Sequence, residues 1–110
     1  MSANAFAPQG NTAALAVTAT STATPIQVLG NVRNATQHMM YNAGPNTCFL
    51  AWGASTALVA AIPAAGTPAN GIPIAMGEIL DISSPPNAFF AAVCASTETA
   101  TLYITPGEGV

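Results

Sequence analysis

The side chains able to do acid–base, nucleophilic or metal chemistry are few in this chain. There is one imidazole, His38, two thiols, Cys48 and Cys94, and four carboxylates, Glu78, Asp81, Glu98 and Glu108. Arg33 is the only basic side chain apart from His38, and lysine is absent. A Ser-His-Asp or Cys-His site needs a base with a nucleophile and an orienting acid, and nothing in the sequence around His38 supplies them. A histidine beside two methionines reads as a structural residue. Glu78 and Asp81 are three apart, so on a strand they point to opposite faces and cannot act as a facing carboxylate pair. Pro106-Gly107-Glu108-Gly109 follows a strand-like run with no helix after it, so it lacks the N–H groups of a phosphate loop and reads as a flexible, extended end.

The cysteines sit in apolar runs, TCFLAW and FFAAVCA. There a free thiol behaves as a small hydrophobe, and a single disulfide between the two remains open. A metal pair lacks a second histidine or a nearby acid to complete its ligands. No cofactor is implied, and the chain is not expected to be an enzyme.

These groups must be positioned by strands. Residues typical of helix surfaces are nearly absent, while Thr, Val, Ile, Pro and Gly are plentiful. Short period-two runs separated by turn residues fill the chain. Residues 1–11 read as an irregular arm, and 12–110 as one domain. A first strand is predicted over Thr12 to Ala19, and Pro25 opens a second, PIQVLG, turned by Gly30-Asn31. In TQHMMYN, His38, Met40 and Asn42 share one face and Met39 and Tyr41 the other. Ala43-Gly44-Pro45-Asn46 predicts a hairpin turn into TCFLAWG, whose core face carries Cys48, Leu50 and Trp52.

STALVAAI reads as a strand or a turn or two of helix, followed by a loop over Ala64 to Gly71. Pro73 confines GIPIAM to an edge. GEILDIS puts Leu80 and Ile82 with Glu78 on one face, and Ile79 and Asp81 on the other. Pro85-Pro86-Asn87 turns the chain into AFFAAVCA, and Ser96-Thr97-Glu98 turns it into TATLYIT. There Ala100, Leu102 and Ile104 face inward and Thr101, Tyr103 and Thr105 outward. Seven to eight short strands at this spacing predict an all-β, antiparallel sandwich or jelly-roll-like domain with an extended N-terminal arm.

Composition then narrows the function. The 110 residues suit one domain. Only 5% are charged and 51% are hydrophobic, against about 25% charged in an ordinary domain. A surface of Thr, Ser, Asn, Gly, Pro and Ala costs little to desolvate, which favours assembly. With one arginine and no lysine, nucleic acid and anionic membranes are poor partners. No run of 18 apolar residues exists, and the N-terminus lacks a positive leader, so synthesis in the cytoplasm is expected. Arg33 is open to three readings: an exposed cation, a partner of Asp81 or Glu78, or a contact to a neighbouring molecule. Phe49, Trp52, Phe89 and Tyr103 serve the core, or anchor a neighbour where a sheet face is left uncovered.

In the C-terminal half, the succession GIPIAMGEILDI, then NAFFAAVCASTETATLYITPGEG, resembles small β-sandwich virion structural proteins of tailed bacteriophages. The matching features are an NAG-type turn before a strand ending in Trp-Gly and an Ile-Pro-Ile stretch before Gly-Glu. A Phe-Ala-Ala strand and a final Ala-Thr-Leu-Tyr-Ile-Thr-Pro-Gly-Glu-Gly follow. The resemblance covers roughly residues 36–110. It implies a capsid decoration (cement) protein on the virion surface, made in the host cytoplasm. Its partners would be the major capsid protein and itself, as a homodimer or homotrimer. Arg33, Phe49, Trp52 and Tyr103 are the candidate interface residues. The alternatives are a neck, tail or fibre-base component, or a small carbohydrate-binding or adhesive sandwich.

Overall fold

A computed structural model of the chain describes residues 7–8, 11–20, 26–27, 37–55, 57–83 and 89–108. Their strands are β1 (Ala7–Pro8), β2 (Ala13–Val17), β3 (Ile26–Gln27), β4 (Gln37–Pro45), β5 (Cys48–Gly53), β6 (Ile72–Ile74), β7 (Ile79–Ser83), β8 (Phe89–Cys94) and β9 (Ala100–Glu108). The expected all-β, antiparallel sandwich is what the chain forms. One sheet runs β1-β9-β4-β7, with β2 also paired to β9, and the other runs β3-β8-β5-β6. From β2 onward, every connection except β5–β6 passes from one sheet to the other. Strand order β2-β9-β4-β7 facing β3-β8-β5-β6 is a jelly roll, two Greek keys folded together.

The core lies between the sheets because the inward positions alternate as period two requires. Leu15 and Val17 of β2, Met40 of β4, Cys48 and Leu50 of β5, and Ile74 of β6 meet there. Phe90, Ala92 and Cys94 of β8 and Ala100, Leu102 and Ile104 of β9 complete it. Trp52, Leu80 and Ile82 pack against its margin. Burying a large apolar side chain such as Leu102 or Phe90 contributes about 1.5–3 kcal/mol.

Four local expectations are corrected. Ala43–Asn46 is not a hairpin turn, since β4 and β5 lie in different sheets and the chain crosses between them. Asn42, wholly buried, makes that crossing. Its Nδ2 donates to the Ile74 carbonyl (2.7 Å) and the Asn46 carbonyl (2.9 Å), and its Oδ1 accepts from the Gly44 N–H (2.7 Å). Gly44 has φ 87°, a backbone conformation that L side chains rarely adopt, and a Cβ there would lie 2.6 Å from Met76 Cγ, so the corner favours glycine.

Residues 57–62 form neither strand nor helix. Leu58 and Ala60 lie over the outer face of β5 and β8, packing with Phe49, Ala51, Ala91 and Val93. Alanine at 51 and 91 leaves room for that cover. At its far end Gly71 approaches so closely that a Cβ would collide with the Ala61 carbonyl oxygen.

The C-terminal segment is not a free end as far as Glu108. β9 continues through Pro106 and Gly107, both buried, with Gly107 opposite Gln37 of β4 and Pro8 of β1. Proline is tolerated within this inner strand for a geometric reason. Asn42 directs its N–H and C=O toward Glu78 and Gly77, away from β9. By alternation His38 does the same, so its partner Pro106 points its missing N–H away from β4, into the interval between β1 and β2.

Ala7–Pro8 of the expected arm is therefore sheet structure. Ile72–Ile74, with Pro73, is an edge strand as expected. Arg33, the Gly30-Asn31 turn and the Pro85-Pro86-Asn87 turn lie outside the described residues.

Candidate functional site

The two sheets differ in what covers their outer faces. Part of the β3-β8-β5-β6 sheet is covered by Leu58 and Ala60. The outward positions of the other sheet form rows set by its register. Ala14 of β2 stands opposite Tyr103 of β9, Tyr103 opposite Tyr41 of β4, and Tyr41 opposite Ile79 of β7. One continuous row, Ala14–Tyr103–Tyr41–Ile79, thus crosses the sheet. Its large members are exposed: Tyr41 by 41%, Tyr103 by 40% and Ile79 by 60%.

The tyrosine rings lie nearly parallel, centroids 6.4 Å apart and planes 17° apart. A cross-strand aromatic pair of this kind is worth about 0.5–1.5 kcal/mol beyond the area it buries. The neighbouring row is Thr105–Met39–Asp81. Thr105 Oγ1 shares a hydrogen bond with Thr12 Oγ1 at 2.7 Å, which fixes the edge of that row. Among the described outward positions of the paired strands, Asp81 is the only charged side chain.

Strand parity explains why these side chains face out. In β9, Leu102 and Ile104 are buried, so Thr101, Tyr103 and Thr105 must alternate to the other side. In β4 the buried His38, Met40 and Asn42 put Met39 and Tyr41 outward. At its described positions the face offers aromatic rings, hydroxyls and aliphatic surface with a single carboxylate. Such a surface binds by shape and desolvation, not by charge.

The groups with chemical potential are elsewhere and are restrained. His38 is buried with its ring 4.9 Å from that of Phe90, and burial lowers its pKa from the ordinary value. Burial pushes the Cys48 thiol up to about 12, with a further contribution from Cys94. The Cys94 thiol is raised by burial and by the nearby Glu98 carboxylate. Thiols so shifted are poor nucleophiles at neutral pH. Among the described residues, no group of three or more His, Cys, Asp or Glu side chains is placed to hold a metal ion. No helix among them is long and apolar enough to cross a membrane.

The residues singled out in the sequence do not form one patch. Tyr103 stands at the centre of the exposed row. Phe49 is on the outer face of the opposite sheet, half-buried beside Leu58. Trp52 faces the core margin, also half-buried. Tyr41 and Ile79 were legible as outward-facing, but their place beside Tyr103 depends on which strands pair, and alternation alone does not contain that. Comparison with protein-family models, with curated proteins and with solved structures gave no match.

Proposed function

We propose that this chain is a non-enzymatic virion structural protein that decorates and cements a bacteriophage capsid, packing between capsid subunits through the outer face of its β2-β9-β4-β7 sheet. The observation that carries this reading is the Ala14–Tyr103–Tyr41–Ile79 row on a face whose described outward strand positions carry one charged side chain, Asp81. Such a face gains by leaving water and gives up little hydration when it does so. The resemblance of residues 36–110 to phage virion structural proteins supplies the partner: the major capsid protein, with further copies of this chain as a homodimer or homotrimer. A standard interface buries about 800 Å² per partner, which a body 41 × 29 × 26 Å in extent can offer on one side. Repetition over a lattice then turns modest contacts into firm attachment.

Reconstitution tests the reading. Particles stripped of the protein should rebind the wild-type chain, while Tyr41→Ala/Tyr103→Ala should fold normally and rebind at least tenfold more weakly. Equal rebinding by the double variant would remove this face from the interface. The near-parallel tyrosines also favour a second reading, a carbohydrate-binding sandwich in which a sugar ring lies against them. Saturable glycan binding by the isolated chain, lost in the same variant, would select it.

A further inference from the structure

Cys48, the first residue of β5, and Cys94, the last of β8, are direct partners in the final rung of the β5–β8 ladder. Both are buried and both point into the core between the sheets. The Cys94 N–H donates to the Thr18 carbonyl at 2.8 Å, so the peptide groups of Cys94 are directed away from β5. The rung is therefore of the non-hydrogen-bonded type, in which opposed Cα atoms come within about 4.5 Å and side chains are closest. A disulfide spans Cα separations of about 4.4–6.8 Å. The thiols are near enough that charge on one raises the pKa of the other.

We propose that Cys48 and Cys94 form a thiol–disulfide latch that closes within one chain, fastening β5 to β8, when a small-molecule disulfide oxidises it. Closure proceeds by two exchanges. One cysteine thiolate attacks a sulfur of the reagent, forming a mixed disulfide and expelling one small thiol. The second cysteine then attacks the protein sulfur, forming the Cys48–Cys94 bond and expelling the other small thiol. Two electrons pass from the cysteines to the reagent, and the two cysteine protons end on the released thiols.

The position of the pair gives the reagent a route. Beside the last rung, the β4–β5 crossing and the β8–β9 turn are tied by an exposed hydrogen bond, Thr99 N–H to Asn46 Oδ1 at 3.2 Å. Opening this end of the sandwich uncovers the thiols without separating the sheets. While it stays shut, the buried, protonated thiols exchange slowly, so the chain remains reduced in the cytosol. Oxidising surroundings close it later. The bond would join residues 46 positions apart (94 − 48), a loop long enough to restrict the unfolded chain substantially.

The test uses the full chain, reduced and then incubated with oxidised glutathione at a low denaturant concentration. Both alkylatable thiols should disappear together, with a mass lower by two hydrogens and the Cys48 and Cys94 peptides joined within a monomer. Tm should rise by about 10 °C and return on reduction. Cys48→Ala and Cys94→Ala should each retain one thiol, take up one glutathione and show no rise. If these variants do not fold, the wild-type peptide map decides. Two glutathione adducts on one chain, covalent dimers, or thiols still alkylatable after unfolding and refolding in the mixture would overturn the proposal. So would closure with an unchanged Tm.

Discussion

Asn42 is a buried polar side chain that ties the two sheets together. Its amide joins β4 to Ile74 of the opposite sheet and to both ends of the Gly44 corner. Its backbone exchanges hydrogen bonds with the β6–β7 turn, donating to the Glu78 carbonyl and accepting from the Gly77 N–H. Asn42→Ala would leave the buried Gly44 N–H unpaired, at about 1–3 kcal/mol, and take one hydrogen bond from each of the Ile74 and Asn46 carbonyls, at about 0.5–1.5 kcal/mol apiece. We expect a loss of about 3–5 kcal/mol in denaturant unfolding, and a loss below 1 kcal/mol would mean water replaces the amide.

His38 gives a pH dependence of definite sign. Burial favours its neutral form, so its folded pKa lies below the unfolded value of about 6.5. The unfolded chain therefore binds the proton first. The contribution is fully present above about pH 6.5 and is lost as pH falls toward the folded pKa. Unfolding free energy should decline from pH 7 to 5, and His38→Gln should flatten that slope. A wild-type profile flat over this range would contradict the assignment.

At the scale of elements, β9 organises the larger sheet: it pairs with β1, β2 and β4 and alternates core and surface along its length. Leu102→Asp places a carboxylate among Leu15, Leu50 and their neighbours and should abolish folding, whereas Tyr103→Ala should leave the fold intact. Circular dichroism and thermal melts separate the two, and equal damage would mean the faces of β9 are misassigned. That alternation was legible in TATLYIT, as it was in TQHMMYN and TCFLAWG, because period two is written into each strand by itself. Partition between sheets was not. Gly44 and Pro45 suit a hairpin and a crossing equally well, and the bond from Asn42 to Ile74 of β6, which belongs to the crossing, is not visible in the local sequence. The run after Ser55 misled for a related reason: its apolar residues cover a sheet from outside instead of joining one. The tail misled because Pro106 and Gly107 look like strand breakers until the interval between β1 and β2 is visible. Tyr103 was identifiable as outward-facing, whereas Tyr41 and Ile79 joined it through register.

At the scale of the whole molecule, the jelly roll supplies a rigid support for an outer face with little charge to keep copies or partners apart. The proposed packing of that face against capsid subunits sets the number of copies in each particle. Quantitative mass spectrometry of purified particles would count this chain relative to the major capsid protein. A capsid decoration protein repeated over the lattice should give a ratio of one, or a simple fraction of one. A dozen copies or fewer would place the chain at a neck, tail or vertex, and absence from particles would contradict a virion role altogether.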